Sequence, residues 1–228
     1  MRHEFDSNGE ATYVISNPGV NSANVTATLY SSGGQSIGLP QTATIAPRGQ
    51  LIFGFNSLTL SSGYVRVLSD RPVSGLELIG STNYLSALGG FSPGSERRLF
   101  FPHYAVGGNF STQIGIVNSS ASAANLTLSA YDGSGNLLAS TIPLPLPAGG
   151  QLLQAVTDLF GIGTGSLQTG YVVAQSDQPG IMGFTNFTYN DGTHISTAAV
   201  PADSVPRQHL LFSHVAHQVP SRSGIPYQ

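Results

Sequence analysis

Internal repetition at a spacing of about one hundred residues is the feature that most constrains the fold of this chain. GYVRVLSDRP at 63–72 matches GYVVAQSDQP at 170–179, with six of ten positions identical. ANVTATLYSSGG at 23–34 matches ANLTLSAYDGSG at 124–135, and LFFPHYA at 99–105 matches LLFSHVA at 210–216. The matches keep the same order along the chain, which predicts a duplicated unit. This period is too long for a solenoid and suits one independent β-domain per copy.

A fourth match aligns two turns, APRGQL and LPAGGQL, and places Pro47 opposite Pro147 and Gly49 opposite Gly149. The offset between copies grows along the chain, from 100–101 to 107 and then to 111, so the copies differ by loop insertions. The longest insertion is TDLFGIGTGSLQT, between Gln151 and Gly170. Its start predicts a single helical turn, and the Gly-rich run after it predicts a flexible loop.

Apolar residues alternate with polar residues through most of both copies. Val25, Ala27 and Leu29 share one face of a predicted strand, and Leu126, Leu128 and Ala130 repeat the pattern in the second copy. Period-2 alternation predicts half-buried strands. Turn signals rich in Gly, Pro and Asn recur every ~8–12 residues, which is typical of a sandwich or barrel. No segment shows a helical period beyond one turn.

The predicted fold class is therefore all-β, with two tandem antiparallel β-sandwich domains of immunoglobulin-like size related by internal duplication. The expected boundaries are residues 1–93 for the first repeat, 94–98 for a linker and 99–208 for the second repeat. Residues 209–228 are expected to begin a third repeat or to close the second one. His3, His103 and His214 hold equivalent positions, so we expect this chain to be an excerpt of a longer tandem array.

Composition excludes several classes of function. The chain has no Cys, no Trp and no Lys, and only 8% of its residues are charged, against about 25% in an average globular protein. A thiolate nucleophile, a cysteine zinc site and a catalytic lysine are therefore excluded. A net charge of −3 without a basic cluster argues against nucleic-acid binding. The sequence contains no run of 18 apolar residues, so it predicts no membrane span.

Each repeat contains a PHxAxGG-like segment, a Tyr-Asp-Gly-Ser-Gly-like hairpin, a Pro-Gly-Gly-Gln-like turn and a Gly-Tyr-Val-x-x-x-Ser-Asp-x-Pro strand. The chain thereby resembles uncharacterised tandem β-sandwich repeat modules of secreted or surface proteins of environmental bacteria, notably acidobacteria. The resemblance covers nearly the whole chain. It departs at His3-Glu4, where the usual aromatic after His is missing, and at Ser213, which replaces Pro. The resemblance implies repeated stalk-like modules beside other domains.

Six histidines are the first candidates for chemistry. His209, His214 and His217 form an H-x4-H-x2-H pattern that, with His103, is the candidate transition-metal site. On a strand, His214 points away from the other two, so the spacing does not converge on a metal without a turn. A structural role for these histidines is the favoured interpretation, and no cofactor is expected.

The candidate ligand-binding residues are Phe184, Phe187, Tyr189 and His194, in the segment GFTNFTYNDGTH that is less repeat-like than its surroundings. Tyr30 and Tyr131, and likewise Tyr64 and Tyr171, hold equivalent positions, for which cross-strand packing is the favoured interpretation.

The carboxylates are few. Asp70 and Asp177 occupy equivalent Ser-Asp-x-Pro turns, where an aspartate caps backbone N–H groups. Asp132 resembles half of a calcium loop but lacks the remaining ligands, so a plain hairpin is favoured. Glycosidases need two paired carboxylates, and the sequence does not pair the available ones. The G-x-S-x-G elbow of serine hydrolases is absent.

The sequence predicts a non-catalytic, secreted or cell-surface structural or adhesion module. It would space or display other domains of a longer parent protein and bind a glycan or protein surface weakly. Edge strands without Lys leave pairing between copies open, so a homodimer is a further expectation. Two alternatives remain. One is a hydrolase, metal-assisted or not, at the inter-domain junction, with the histidines at 103, 194, 209 and 214 as its candidate residues. The other is a glycan-binding module.

Overall fold

The computed structural model describes residues 10–55, 62–81, 84–163 and 165–211. These residues form sixteen strands and one short helix, so the chain is all-β. The strands of the first half are β1 (Glu10–Ser16), β2 (Ala23–Ser31), β3 (Ser36–Ile45), β4 (Gln50–Gly54), β5 (Gly63–Ser69), β6 (Ser74–Ser81) and β7 (Tyr84–Gly89). Those of the second half are β8 (Arg98–Val106), β9 (Phe110–Asn118), β10 (Ala124–Asp132), β11 (Leu137–Ser140), β12 (Leu144–Leu146), β13 (Gln151–Ala155), β14 (Gln168–Ser176), β15 (Ile181–Asn190) and β16 (Ile195–Pro201). The helix α1 (Val156–Phe160) follows β13.

Each half contains two antiparallel sheets. In the first half the sheets have the orders β4-β1-β6-β7 and β3-β2-β5. In the second half they have the orders β13-β9-β15-β16 and β11-β10-β14-β8, with β12 also paired to β10. The two halves therefore share one strand order, to which the second half adds β8 at one edge.

The order differs from that of an immunoglobulin constant domain. Seven strands lettered A to G would there form the sheets ABED and CFG. Here β1 pairs with β4 and β6, and β2 pairs with β3 and β5. The first half thus matches an immunoglobulin constant domain in strand number but not in strand partners, and the second half, with nine strands, matches it in neither.

Burial follows the alternation that the sequence predicts. Along β2 and along β10, buried residues alternate with half-buried or exposed ones. The second half has a closed core to which both of its sheets contribute, including Phe101, Ile114, Leu128 and Val172, each 0% exposed. The core cluster of the first half contains three buried residues, Ile15, Val25 and Ile45.

The insertion in the second half contains the predicted helical turn. It extends over Val156–Phe160, begins one residue before the TDLF segment, and buries Val156 in the core. Gly161 ends the helix in the left-handed conformation at φ 66°, which an L-residue rarely adopts. Among the described residues no helix is long and apolar enough to cross a bilayer.

Residues of the expected linker, 94–98, contact the second half. Arg98 already belongs to β8, and the carbonyl oxygen of Glu96 accepts hydrogen bonds from the N–H groups of Gly180 and Ile181. At the other end, Asp203 and Phe100 exchange backbone hydrogen bonds of 2.7 and 2.9 Å. Residues 209–211 lie outside any strand, and residues 212–228 lie outside the described residues.

Candidate functional site

Among the described residues the candidate metal ligands do not form a cluster. His103 lies exposed on β8, with its ring centroid 5.5 Å from that of Phe187. His209 is exposed near the end of the described chain, whereas His214 and His217 lie outside the described residues. Within the described ranges no group of three or more His, Asp or Glu side chains could hold a metal ion. The four-histidine site therefore stays a prediction.

The candidate ligand-binding residues do not share one surface. Phe184 pairs with Gly115 and lies on the outer face of β15, where a Cβ at Gly115 would collide with its ring. Phe187 and Tyr189 have the opposite parity and lie on the inner face, because successive side chains alternate across a strand. The ring of Tyr189 is 5.0 Å from that of Phe110.

The fourth candidate, His194, belongs to the turn between β15 and β16. The Oδ1 atom of Asp191 accepts the backbone N–H groups of Thr193 at 2.8 Å and His194 at 2.7 Å. Its Oδ2 atom lies 3.3 Å from Nδ1 of His194. The backbone N–H groups of His194 and Thr193 lower the pKa of Asp191 to about 2. This aspartate is therefore an ionised cap of a turn.

Two further aspartates make one identical arrangement, once in each half. In the first half, Asp70 accepts the backbone N–H of Asn24 at 2.8 Å and its side-chain N–H at 2.8 Å. In the second half, Asp177 accepts the same two groups of Asn125 at 2.8 and 2.7 Å. These bonds, the backbone one first, lower the pKa of both carboxyl groups. Each aspartate therefore accepts a backbone N–H as predicted, but that N–H belongs to the neighbouring strand and not to the aspartate's own turn.

Asp132 closes the β10–β11 hairpin. Its Oδ1 atom accepts the backbone N–H groups of Ser134 and Asn136, both at 2.8 Å, and its Oδ2 atom accepts the side chain of Asn136 at 2.9 Å. The side-chain and backbone bonds from Asn136 lower its pKa. Both carboxylate oxygens thus serve the hairpin, as the favoured interpretation of DGSGN predicts.

Two buried asparagines were missed as structural centres by sequence reasoning. Asn118, 0% exposed, donates from Nδ2 to the carbonyl oxygens of Ser122, Leu146 and Pro147 at 2.8, 3.3 and 3.0 Å. Asn17, 1% exposed, makes the same three bonds to Asn21, Ile45 and Ala46 at 2.8, 3.2 and 3.1 Å. Each asparagine ties two loops and the end of a strand together.

These bonds also correct the alignment of the two turns. The N–H of Asn17 donates to the carbonyl of Gly49, and the N–H of Asn118 donates to that of Gly150. Gly49 therefore corresponds to Gly150, one residue beyond the Gly149 that letter matching selected. In this register Arg48 corresponds to Gly149, and both have positive φ, 57° and 65°.

The paired tyrosines stack across strands. Tyr30 and Tyr64 have ring centroids 5.3 Å apart at an interplanar angle of 11°, and Tyr131 and Tyr171 are 4.9 Å apart at 8°. Each ring covers a face of its neighbour, whereas a sugar platform needs free ring faces. Cross-strand packing, the favoured interpretation, is confirmed for both pairs. The first pair also has a guanidinium above it, because Arg66 lies 4.8 Å from the ring of Tyr30.

A half-buried ionisable pair lies on neighbouring strands of the first half and has no equivalent in the second. Tyr13 and Glu77 are directly opposed on β1 and β6. Burial raises the pKa of Glu77, and a hydrogen bond from Tyr13 partly offsets the effect. Burial, and then the charge of Glu77, raise the pKa of Tyr13. The ring of Tyr13 stacks on that of Phe53 at 5.4 Å.

The two halves contact each other through backbone polar groups. The hydroxyl of Tyr64 donates to the carbonyl of Gly149 at 2.8 Å, and the N–H of Gln151 donates to the carbonyl of Ser32 at 2.8 Å. At the neighbouring sheet edges, β7 packs along β16, and the N–H of Ala199 donates to Oγ of buried Ser86 at 3.0 Å. These contacts, none of which the sequence indicated, form the junction between the halves.

Comparison with known proteins adds little to this geometry. No family model matches the sequence, and no curated protein matches it. A solved structure titled as that of Thermotoga maritima 1070 is 13% identical and has a TM-score of 0.41. The match covers 48% of this chain and 94% of the other. A likeness this distant carries no argument about function.

Proposed function

We propose that the chain consists of two copies of one β-sandwich module and acts as a non-catalytic structural unit. It would hold two sandwiches in a fixed relation and space or display neighbouring domains of a secreted or cell-surface protein. The two copies share a strand order. Each copy also has a buried asparagine that donates to three carbonyl oxygens, an aspartate that accepts two N–H groups of an asparagine on the neighbouring strand, and a stacked pair of tyrosines. Four independent coincidences at matched positions support descent from one module.

The observation that carries the structural role is the junction between the halves. Among the described residues three hydrogen bonds cross it at separate points, and each uses a backbone group whose position the sheets fix. If the halves were joined only by a flexible linker, these backbone groups would form hydrogen bonds with water instead. A junction of this kind favours a spacer whose two ends keep a constant distance.

The extracellular assignment rests on composition. The chain has 8% charged residues, no Cys and many Ser, Thr, Gly and Asn residues, which suits exposed stalk modules. Partners would be the adjoining domains and a weakly bound glycan or protein surface.

The rival proposal, a hydrolase at the junction, requires a nucleophile or metal there. Oγ of Ser86 accepts a backbone N–H, and the residue is 6% exposed, so its hydroxyl has a structural role in the junction. Metal analysis of the purified full chain by mass spectrometry decides the metal-assisted version. A stoichiometric transition metal would favour the rival over a structural module.

Fixed spacing is testable by electron paramagnetic resonance, because the chain has no cysteine of its own. Val20 and Ile142, 73% and 79% exposed, become cysteines that carry spin labels on opposite halves. Val20 and Leu39, both in the first half, give the matched control pair. We expect the distance distribution between the halves to be as narrow as that of the control pair.

A second comparison tests the junction itself. Tyr64→Ala removes the bond to Gly149 and should broaden the distribution between the halves. Tyr171→Ala removes the matching tyrosine stack in the second half and should leave the distribution narrow. If the junction is left unchanged and the distance distribution between the halves is still several times broader than that of the control pair, the rigid spacer is refuted.

A further inference from the structure

The first half contacts the second through a hairpin face, which consists of the β2–β3 turn at residues 30–35 and the side chain of Tyr64. This face lies against a turn of the second half at residues 147–151, which we call the receiving turn. The hydroxyl of Tyr64 donates to the carbonyl of Gly149 at 2.8 Å. The last N–H of the receiving turn donates to the carbonyl of Ser32, also at 2.8 Å.

Glycines allow the hairpin and the receiving turn to come this close. A Cβ at Gly34 would lie 2.4 Å from the carbonyl oxygen of Ala148 and 2.8 Å from the carbonyl carbon of Gly149. Gly34 also has φ 81°, a conformation that favours glycine. A Cβ at Gly149 would lie 3.5 Å from the hydroxyl of Tyr64, so a longer side chain there would need the space of that hydroxyl. The contact therefore requires glycine in the hairpin and a small residue in the receiving turn.

The second half repeats this hairpin face in the β10–β11 turn at residues 131–136. The N–H of Asp132 donates to the carbonyl of Asn136 at 3.0 Å, and the N–H of Gly135 donates to that of Asp132 at 3.1 Å. The first half makes the counterparts of both bonds at 2.9 Å. Gly135 has φ 86°, close to the 81° of its counterpart, and Tyr171 belongs to the matching tyrosine stack. Turn and tyrosine are thus arranged alike in both halves.

In the described part of the chain, the hairpin face of the second half is exposed. Residues 133–136 are each exposed, and no described atom lies within 4 Å of the Cβ position at Gly135. The hydroxyl of Tyr171 has no hydrogen-bond partner among the described residues. The second half therefore repeats, on an exposed surface, the groups with which the first half binds the receiving turn.

We propose that the hairpin face of the second half binds a further module of the same kind in the parent protein, through that module's receiving turn. The partner module would have glycine at the position of Gly149, because the tyrosine hydroxyl needs that space. The inference deepens the proposed function and rests on it, since the junction between the halves is its template. The spin-label distances test that junction in the original chain, so a failure of the proposed function is distinguishable from a failure of this inference.

A second copy of this chain does not provide a suitable receiving turn. The counterpart in the first half is APRGQ at residues 46–50, and Arg48 has the position that Gly149 has in the second half. The backbone is alike, because φ is 57° at Arg48 and 65° at Gly149, so the side chain is the main difference. Arg48 therefore keeps copies of this chain from joining to one another, and the partner is a different module.

Grafting the receiving turn into the first half creates the partner within the full chain. The variant Ala46→Pro with Pro47→Ala and Arg48→Gly makes residues 46–50 identical to residues 147–151. The second half of one copy then meets a suitable turn on the first half of the next, a heterologous contact that continues from copy to copy. In sedimentation we expect the grafted chain to associate about tenfold more tightly than the original chain, or better. An unchanged circular dichroism spectrum shows that it is folded, and Arg48→Gly alone serves if the triple variant is not.

Gly135→Asn in the grafted chain tests the hairpin face itself. Asparagine tolerates positive φ better than most residues, so the turn should keep its shape. Its Cβ would meet the grafted turn as a Cβ at Gly34 would meet the carbonyl of Ala148. Gly192→Asn is the matched control, because Gly192 has φ 88° and no described atom within 4 Å of its Cβ position. We expect Gly135→Asn to abolish the association and Gly192→Asn to leave it unchanged.

Three results would overturn the inference. A folded grafted chain that stays monomeric at submillimolar concentration would mean that the hairpin face does not bind the receiving turn. Equal association of the original and grafted chains would mean that Arg48 is no obstacle and that the contact lies elsewhere. Association of the grafted chain that survives Gly135→Asn would also place the contact outside the hairpin face.

Discussion

The buried asparagine of the second half offers the sharpest test of what holds this fold together. Asn118 is 0% exposed and reaches three carbonyl oxygens through Nδ2, while its Oδ1 accepts the N–H of Ser120 at 3.1 Å. A side-chain amide carries two N–H groups, so the three carbonyls share two donors. Asn118→Ala therefore removes about three effective hydrogen bonds.

At about 1 kcal/mol for each net hydrogen bond, the expected loss of unfolding free energy is about 3 kcal/mol. Urea unfolding followed by far-ultraviolet circular dichroism measures it. The matched control is Asn136→Ala, because the amide of Asn136 is exposed and bonds an exposed carboxylate. Its cost should stay within about 0.5 kcal/mol, as for most surface substitutions.

Asn118→Asp separates hydrogen bonding from shape, since the two side chains have nearly the same size. It would present a carboxylate to three carbonyl oxygens, so the loss at pH 7 should exceed that of Asn118→Ala. The folded state would raise the pKa of the introduced carboxyl above the unfolded value of about 3.9. The unfolded chain then binds fewer protons between these two pKa values, so stability falls as pH rises through them.

Two results would refute this reasoning. A loss below about 1 kcal/mol for Asn118→Ala, similar to that of Asn136→Ala, would mean that water replaces the amide at little cost. A loss for Asn118→Asp that is independent of pH would mean that the carbonyl oxygens are not arranged around the side chain as the structure has them.

Three further predictions concern a glycine and two carboxylates. Gly170→Ala should lower the free energy of unfolding, measured in urea, by about 1–3 kcal/mol, because its Cβ would collide with a carbonyl oxygen of the neighbouring strand. The Cβ added by Gly133→Ala would have no atom within 4 Å, so that control should be nearly neutral. Glu77→Gln should remove a loss of stability that the original chain shows as pH rises above about 4.5, because burial raises the pKa of that carboxyl; equal pH profiles would count against it. Asn125→Ala should raise the pKa of Asp177 in an NMR titration, though not to its usual value, because the stronger backbone hydrogen bond remains.

Alternation allowed the strands and their buried faces to be predicted from sequence. The residues assigned to the inner face of β2, Val25, Ala27 and Leu29, are 2%, 3% and 7% exposed. Side-chain direction along a strand is a local property, so a local pattern reports it. Strand partners are not local, and the same alternation fits many sheet orders. For this reason the sequence alone could not establish whether the strands follow the order of an immunoglobulin domain.

The same rule shows why the four candidate ligand-binding residues do not lie on one face of the sheet. Phe184 and Phe187 are close in sequence, but an odd separation along one strand places them on opposite faces. Parity alone would have separated them once the segment was recognised as a strand. Asn118 is different, because its role depends on Leu146, 28 residues away. Its sequence context, an asparagine at a turn, predicts exposure rather than burial.

The junction between the halves uses a position at which the two copies differ. Tyr64 packs against Gly149, where a Cβ would lie 3.5 Å from the tyrosine hydroxyl and 3.6 Å from the carbonyl oxygen of Gly34. In the first half the counterpart of Gly149 is Arg48, whose long side chain would need that space. The contact of Tyr64 with Gly149 is therefore specific to this order of the two halves, and Tyr171 cannot make the same contact with the counterpart turn of another copy.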